Sequence, residues 1–395
     1  MKNKLVLFGA GKIGRSFIGQ LFARSGFEVV FADIFEPVIE ALNQRGSYTV
    51  VIKKQEGDEN IEVKNVRGVP ASDREKIAAE LADCTLTAVS VGQKGLMGVA
   101  PALADGLLRR MELYGLRPLD IILAENMRDA NIFIENLLKE HLPADFPLNE
   151  MVGLIETSIG KMVPIMPVAV QQSDPLLVYA EAYNTLILDK KAFKNPIPEV
   201  TGLAPKENIK AWVDRKSYIH NFGHAAGAYA GYRADPSAVY MYQVLAREEV
   251  YNSTRRAMLQ SAEVLMRKYP GEFTSEALTD HIDDLLTRFM NKALGDTVYR
   301  VGCDLKRKLY RTDRILSPLI DGLEMGLPVD GIAKAFADGL KFRAADENGR
   351  MFPEDADFAA KLETDGLDRN LENFCGLNPD TDAAVIACLK NAIKL

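Results

Sequence analysis

Leu5-Val6-Leu7-Phe8-Gly9-Ala10-Gly11-Lys12-Ile13-Gly14 decides the reading of the first half of the chain. Four apolar residues fit a short buried strand, and Ile13 to Ser25 has the apolar spacing of a helix. Between them stands G-x-G-x-x-G. Gly9 permits a tight turn. Gly11 lets the backbone approach a pyrophosphate with no Cβ in the way. Gly14 lets the helix pack close to the strand. The helix N-terminus then offers N–H groups and a positive dipole end to phosphates.

The next apolar run, Glu28 to Ala32, ends at Asp33, 19 positions after Gly14. A carboxylate there accepts from both ribose hydroxyls of an adenosine and repels a 2′-phosphate. The expected cofactor is therefore NAD rather than NADP, bound by Gly9, Gly11, Ile13, Gly14 and Asp33. A purely structural glycine turn with a solvated Asp33 is the alternative. Arg15 is placed either to pair with the pyrophosphate or simply to lie exposed.

Working outward, short β-branched runs alternate with helical patterns. Thr85–Val91, Asp120–Ala124 and Val152–Ile155 read as further strands, so βαβ units and a parallel sheet are expected. Tyr48–Lys53 and Ile61–Val66, joined by Glu56-Gly57-Asp58, read as a hairpin insertion. Asn126 follows the fourth strand, at the carboxyl end where α/β sheets bind ligands. It is expected to meet the nicotinamide or the substrate, unless it only caps a helix.

After Leu188 β-rich runs are scarce. Helical patterns cover 208–230, a long stretch from Asp235-Pro236 to Tyr269, and segments near 276–292, 329–342 and 381–394. Asn195-Pro196-Ile197-Pro198 marks the change. The expected class is α/β: a dinucleotide-binding domain over 1–195 with a doubly wound sheet, then a mainly α-helical domain over 196–395.

The chain has 395 residues, 47% hydrophobic and 26% charged. A disordered or fibrous chain is excluded. The formal charge of -7 argues against nucleic acid or an anionic membrane as the main partner. No apolar run reaches the roughly 18 residues of a membrane span, and Gly9 and Lys12 end the first apolar run too early for a signal peptide. Cys84, Cys303, Cys375 and Cys388 follow no zinc spacing, which suggests reduced thiols of a cytoplasmic protein. With no H-E-x-x-H motif or dense Cys/His cluster, no protein-built metal site is expected. There is no internal repeat.

The richest chemistry lies in Arg215-Lys216-Ser217-Tyr218-Ile219-His220-Asn221-Phe222-Gly223-His224. At about 100° per residue, Lys216, His220 and His224 fall within about 80° of one another, with Asn221 about 60° further on. Small residues from Gly223 to Ala228 would let that helix pack closely. Hydride transfer from an alcohol needs a base for the hydroxyl proton and donors for the developing alkoxide. Lys216 is the candidate base, with Asn221 and His224 holding the oxygen. The same spacing also fits a solvated charged face. No tyrosine is followed four residues later by lysine, so the dyad of short-chain dehydrogenases is absent.

Gly9-Ala10-Gly11-Lys12-Ile13-Gly14-Arg15-Ser16-Phe17-Ile18-Gly19 and Lys216-x-x-x-x-Asn221-x-x-His224 resemble the polyol-specific long-chain dehydrogenases, the mannitol dehydrogenase family. So do Phe31-Ala32-Asp33, Glu125-Asn126-Met127, Arg300-Val301-Gly302, Arg307-Lys308-Leu309 and Asp313-Arg314. The resemblance implies a metal-independent NAD enzyme with a Rossmann domain and a helical C-terminal domain. It implies Lys216 as general base, Asn221 and His224 on the reacting oxygen, Asn126 positioning that centre, and Arg300 and Lys308 lining the substrate site.

Within the family the resemblance implies a hexitol phosphate and a ketose phosphate, first mannitol 1-phosphate and fructose 6-phosphate, and the chain length fits. Arg300 and Lys306-Arg307-Lys308 would hold the phosphate, unless they form a solvated basic surface. One departure stands out: Gly160-Lys161 occupies the place of the family's Asp-Arg. Two alternatives follow, a tagaturonate or fructuronate reductase or other polyol dehydrogenase of the same family, and an NAD-binding sensor without chemistry. The expected partner is a small molecule. Oligomeric state is not legible.

Overall fold

The computed structural model describes residues 3–394. The chain forms two compact units, Met1–Val213 and Asp214–Leu395.

The first unit is built on eleven strands: β1 Lys4–Phe8, β2 Glu28–Asp33, β3 Ser47–Ile52, β4 Glu59–Lys64, β5 Val66–Pro70, β6 Leu86–Val89, β7 Leu119–Leu123, β8 Val152–Ser158, β9 Leu177–Ala180, β10 Leu186–Asp189 and β11 Leu203–Lys206. Eight of them form one sheet in the order β11-β10-β8-β7-β6-β1-β2-β5. From β8 to β5 every pairing is parallel. The strand order reverses at β1, which has β2 on one side and β6 on the other. Such a switch point is where doubly wound sheets open a ligand crevice.

β1 explains why both faces are covered. Leu5 and Leu7 enter one apolar core with Phe17, Phe22 and Phe31. Val6 and Phe8 enter another with Leu81, Leu103 and Ile121. A strand buried on both faces must be apolar at every position, as this one is. The hairpin forms as expected, β3 pairing antiparallel with β4, and β9 adds alongside β3 to make a small second sheet.

The sheet continues past the proline-marked connection. β11 pairs with β10, and the first unit runs to Val213 rather than ending near 195. The cause is local. The buried Asp120 carboxylate accepts the Lys194 and Asn195 N–H groups at 2.8 and 3.0 Å and the Asn195 amide at 2.9 Å. That ties the connection to β7 instead of leaving it as a linker.

The second unit is helical. Its centre is α1, Phe222–Ala234, which packs against α2, Glu248–Lys268, and α3, Asp330–Leu340. The small residues explain the close approach: a Cβ on Gly223 would run into Met258, and one on Gly231 into Val244. Asp235-Pro236 does not open a helix. Its carboxylate instead accepts the Ser237 N–H and hydroxyl, and helix resumes at Met241–Leu245 and then α2. An aspartate bonding to its own backbone two residues on competes with helix formation.

Candidate active site

In the first unit the carboxyl ends of β1, β2 and β6 line a cleft of about 650 Å³ with Gly9, Gly11, Asp33, Ser90 and Val91 on its wall. Gly9 has φ +98°, and a Cβ there would strike the Ser90 carbonyl. A Cβ on Gly14 would strike the Gly9 carbonyl, so Gly14 lets the helix close over the turn itself. Gly11 faces open space, with nothing within 4 Å of a notional Cβ. The helical ladder starts with Arg15 N–H donating to the Gly11 carbonyl at 3.0 Å. The N–H groups of Lys12 and Ile13 therefore stand ahead of it, at the positive end of the helix. Room at Gly11, a helix terminus and a carboxylate at β2 together suit a dinucleotide.

Asp33 does more than face the cleft. One carboxylate oxygen accepts the Ala10 N–H at 2.6 Å and the other the Phe35 N–H at 2.8 Å. Each oxygen keeps a lone-pair site for a ribose hydroxyl. Arg15 does not lie exposed. It is buried, with Nε donating to the Ala10 carbonyl at 2.7 Å and an η nitrogen to the Pro175 carbonyl at 2.6 Å. Its charge supports the turn rather than reaching for a phosphate.

Asn126 lies exposed just past β7. Its neighbour Glu125 is a group that sequence reasoning passed over. The buried Glu125 carboxylate accepts the Val91 and Gly92 N–H groups at 2.7 and 3.1 Å, locking the end of β6 to the end of β7. Burial raises its pKa. An acidic residue inside an apolar strand end was the available signal.

The departure at Gly160-Lys161 has a structural meaning. The buried Lys161 ammonium donates to the Glu181 carbonyl at 3.0 Å, the Tyr183 carbonyl at 2.7 Å and Asn184 Oδ1 at 3.0 Å. An ammonium has three protons, and these three acceptors can each take one. Lys161 clamps the segment between β9 and β10.

In the second unit the Lys216 segment is helical but not α-helical. Lys216–Asn221 is a π turn leading directly into α1. In a π turn the carbonyl of one residue meets the N–H five residues on. Lys216 and Asn221, five apart, therefore stack more closely than α geometry allows, and the 140° implied by a regular α-helix does not apply.

Lys216 is half-buried. Burial, then the charges of Arg314 and Arg307, bring its amine down to about 7. His224 is pushed down to about 3 by burial and by Lys308, Arg300 and other cations, so it is neutral. Its ring stacks on Phe289 at 4.3 Å. Its Nε2 is buried without a hydrogen-bond partner, 3.7 Å from the Asp296 carboxylate. His220 lies between these groups electrostatically, lowered by burial and by the fields of both His224 and Lys216.

Arg300 pairs with Asp296, and its side chain is about half exposed. Lys308 is different. It is buried, and its amine donates to the Val301 carbonyl at 2.7 Å and to the Cys303 carbonyl. Burial and Arg314 bring it to about 7. Those two carbonyls hold the amine, so Lys308 fastens the end of helix Val298–Gly302. Arg307 and Lys306 are the exposed cations of the cluster.

Residues 3–202 match the mannitol dehydrogenase Rossmann domain and residues 208–373 the mannitol dehydrogenase C-terminal domain. The chain belongs to the mannitol dehydrogenase family. Among solved structures it is similar to Pseudomonas fluorescens mannitol 2-dehydrogenase, described as a ternary complex with NAD and D-mannitol. The TM-score is 0.75 at 16% identity, covering 100% of this chain and 91% of that one. An octopine dehydrogenase described with NADH and pyruvate matches at TM-score 0.50 and 16% identity, over 86% of this chain and 88% of that one. At those identities the likeness is one of fold. Among the described residues no helix is long and apolar enough to cross a membrane.

Proposed function

We propose that this member of the mannitol dehydrogenase family is an NAD-dependent oxidoreductase interconverting a hexitol phosphate and a ketose phosphate, with mannitol 1-phosphate and fructose 6-phosphate as the pair to test first. The observation that carries the reading is a lysine amine brought to about 7 in a helical run that also holds a buried imidazole nitrogen without a partner.

NAD, when bound, supplies the hydride acceptor for oxidation and, reduced, the donor for the reverse direction. Gly9, Gly11, Ile13, Gly14 and Asp33 would hold it. The chemistry of the remaining residues follows from their protonation. In oxidation the neutral Lys216 amine takes the hydroxyl proton as hydride leaves the carbon, and the alcohol becomes a carbonyl. In reduction the ammonium returns that proton to the oxygen. Asn221 donates to the oxygen as its charge develops, and the neutral His224 offers its unpartnered nitrogen to it. Asn126 would orient the reacting centre.

A phosphorylated substrate is supported by charge. Residues 300–314 hold six basic residues, Arg300, Lys306, Arg307, Lys308, Arg311 and Arg314, against Asp304 and Asp313. Arg300 and Arg307 offer exposed guanidinium forks for an anionic oxygen set. Lys308 would hold the segment that presents them. The same cations suit a carboxylate, which keeps the hexuronate reductase reading alive. The sensor reading rests on the Gly160-Lys161 departure, where Lys161 has structural partners. The four cysteines are free thiols.

The test is an NADH-oxidation screen against fructose 6-phosphate, fructose, tagaturonate and fructuronate. The highest kcat/KM is expected on fructose 6-phosphate. A preference for either keto-acid selects the reductase, and NADH binding without turnover on any of them selects the sensor.

A further inference from the structure

The π turn that carries Lys216 shifts the partner of one backbone N–H. The Phe222 N–H donates to the Ser217 and Ile219 carbonyls and passes over that of Tyr218. The Tyr218 carbonyl instead receives the Ser261 hydroxyl at 2.6 Å. Ser261 sits on α2 with 0% exposure, among Ala257, Met258 and Ala262. A serine at so apolar a position needs a partner, and a carbonyl skipped by its own helix needs a donor.

The Tyr218 side chain is held too. Its hydroxyl lies 2.9 Å from that of Ser317 and donates to Asp321, while the Lys268 ammonium reaches the Tyr218 oxygen at 3.0 Å, Asp321 at 2.9 Å and Asp214 at 3.0 Å. Tyr269 donates to Asp214 at 2.7 Å. Burial and Asp321 push the Tyr218 phenol up to about 12, so it stays a donor.

We infer that Ser261 is a positioning residue for the proposed reaction: by capping the Tyr218 carbonyl it holds the π register that sets Lys216 and Asn221 on one face. Without the hydroxyl, the Phe222 N–H is free to shift to the Tyr218 carbonyl and draw the turn into α geometry. That shift rotates Lys216 away from Asn221. The Tyr218, Asp321 and Lys268 cluster anchors the far side of the turn and gives it a fixed point to rotate about. The inference rests on Lys216 being the base.

The experiment compares the wild type with Ser261→Ala. The pH dependence of Lys216 acylation by trace acetic anhydride, read by peptide mass spectrometry, reports the amine itself. It is paired with kcat and with NADH affinity. In Ser261→Ala the Lys216 titration is expected to move up toward the ordinary lysine value of about 10.4. kcat is expected to fall on the order of a hundredfold, the scale of a misplacement of about 1 Å. NADH affinity is expected to stay put, because the glycine turn lies in the other unit.

A folded Ser261→Ala protein with unchanged Lys216 titration and unchanged kcat overturns the inference, whatever its melting temperature. Should Ser261→Ala fail to fold, Ser261→Cys, with its weaker donor, is judged by the same two readouts. If the wild type turns over none of the substrates yet the Lys216 titration moves, the proposed function fails and the positioning role stands. If the wild type turns over and neither readout moves, the positioning role alone fails.

Discussion

The Asp33 carboxylate accepts the Ala10 N–H at 2.6 Å, so the residue at the end of β2 also braces the glycine turn at the end of β1. This links two tasks, shaping the turn and selecting the ribose. Asp33→Ala should therefore lose NADH affinity by more than a missing ribose contact alone, about 2–3 kcal/mol or roughly 30- to 160-fold. Discrimination against NADPH should relax at the same time, with NADPH affinity rising less than NADH affinity falls. Fluorescence titration of both cofactors checks this. Unchanged selectivity would remove Asp33 from the ribose site.

Lys216→Ala should leave NADH affinity nearly unchanged and lower kcat by about two to four orders of magnitude. The wild-type pH profile follows from an amine at about 7. Alcohol oxidation needs the neutral amine, so its kcat/KM should fall as pH drops through about 7. Ketose reduction needs the ammonium, so its kcat/KM should fall as pH rises through the same value. Two profiles that bend in the same direction would assign the proton transfer elsewhere.

Much of this was legible before any coordinates. β1, the glycine turn and β2 follow from short apolar runs, G-x-G-x-x-G and Asp33, because local pattern and tertiary role coincide there. The edge of the sheet was not legible. β11 contains Pro205 and depends on Asp120 gripping Lys194 and Asn195, a contact between distant parts of the chain. The π turn was hidden for a related reason. The sequence 216–221 has ordinary helical character, and the register is set by Ser261, more than forty positions away. Lys308 read as a substrate cation because sequence shows charge and not burial.

Lys161→Met tests whether the Gly160-Lys161 departure concerns stability or chemistry. Removing the ammonium strands the Glu181 and Tyr183 carbonyls and Asn184 Oδ1. A loss of about 3 kcal/mol is expected, enough to lower Tm by a few degrees. Turnover per folded molecule should be nearly unchanged. A large fall in kcat with Tm intact would give Lys161 a part in the reaction.

Arg300 and Arg307 decide the phosphate question, because their guanidinium groups are the exposed forks of the cluster. Arg300→Ala is expected to raise KM for fructose 6-phosphate by about tenfold or more, the worth of a charge-assisted hydrogen bond of roughly 1.5–3 kcal/mol. Arg307→Ala should do the same; both side chains already meet carboxylates, Arg300 at Asp296 and Arg307 at Asp304 and Asp313. Turnover of unphosphorylated fructose at saturation should change little in either variant, because no charge on that substrate meets the forks. The readout is thus the ratio of kcat/KM values for the two substrates. If both fall together, the arginines support the fold or the reacting centre, and the phosphate must be sought elsewhere. If the ratio collapses toward one, the cationic segment 300–308 is what distinguishes a sugar phosphate from a free sugar.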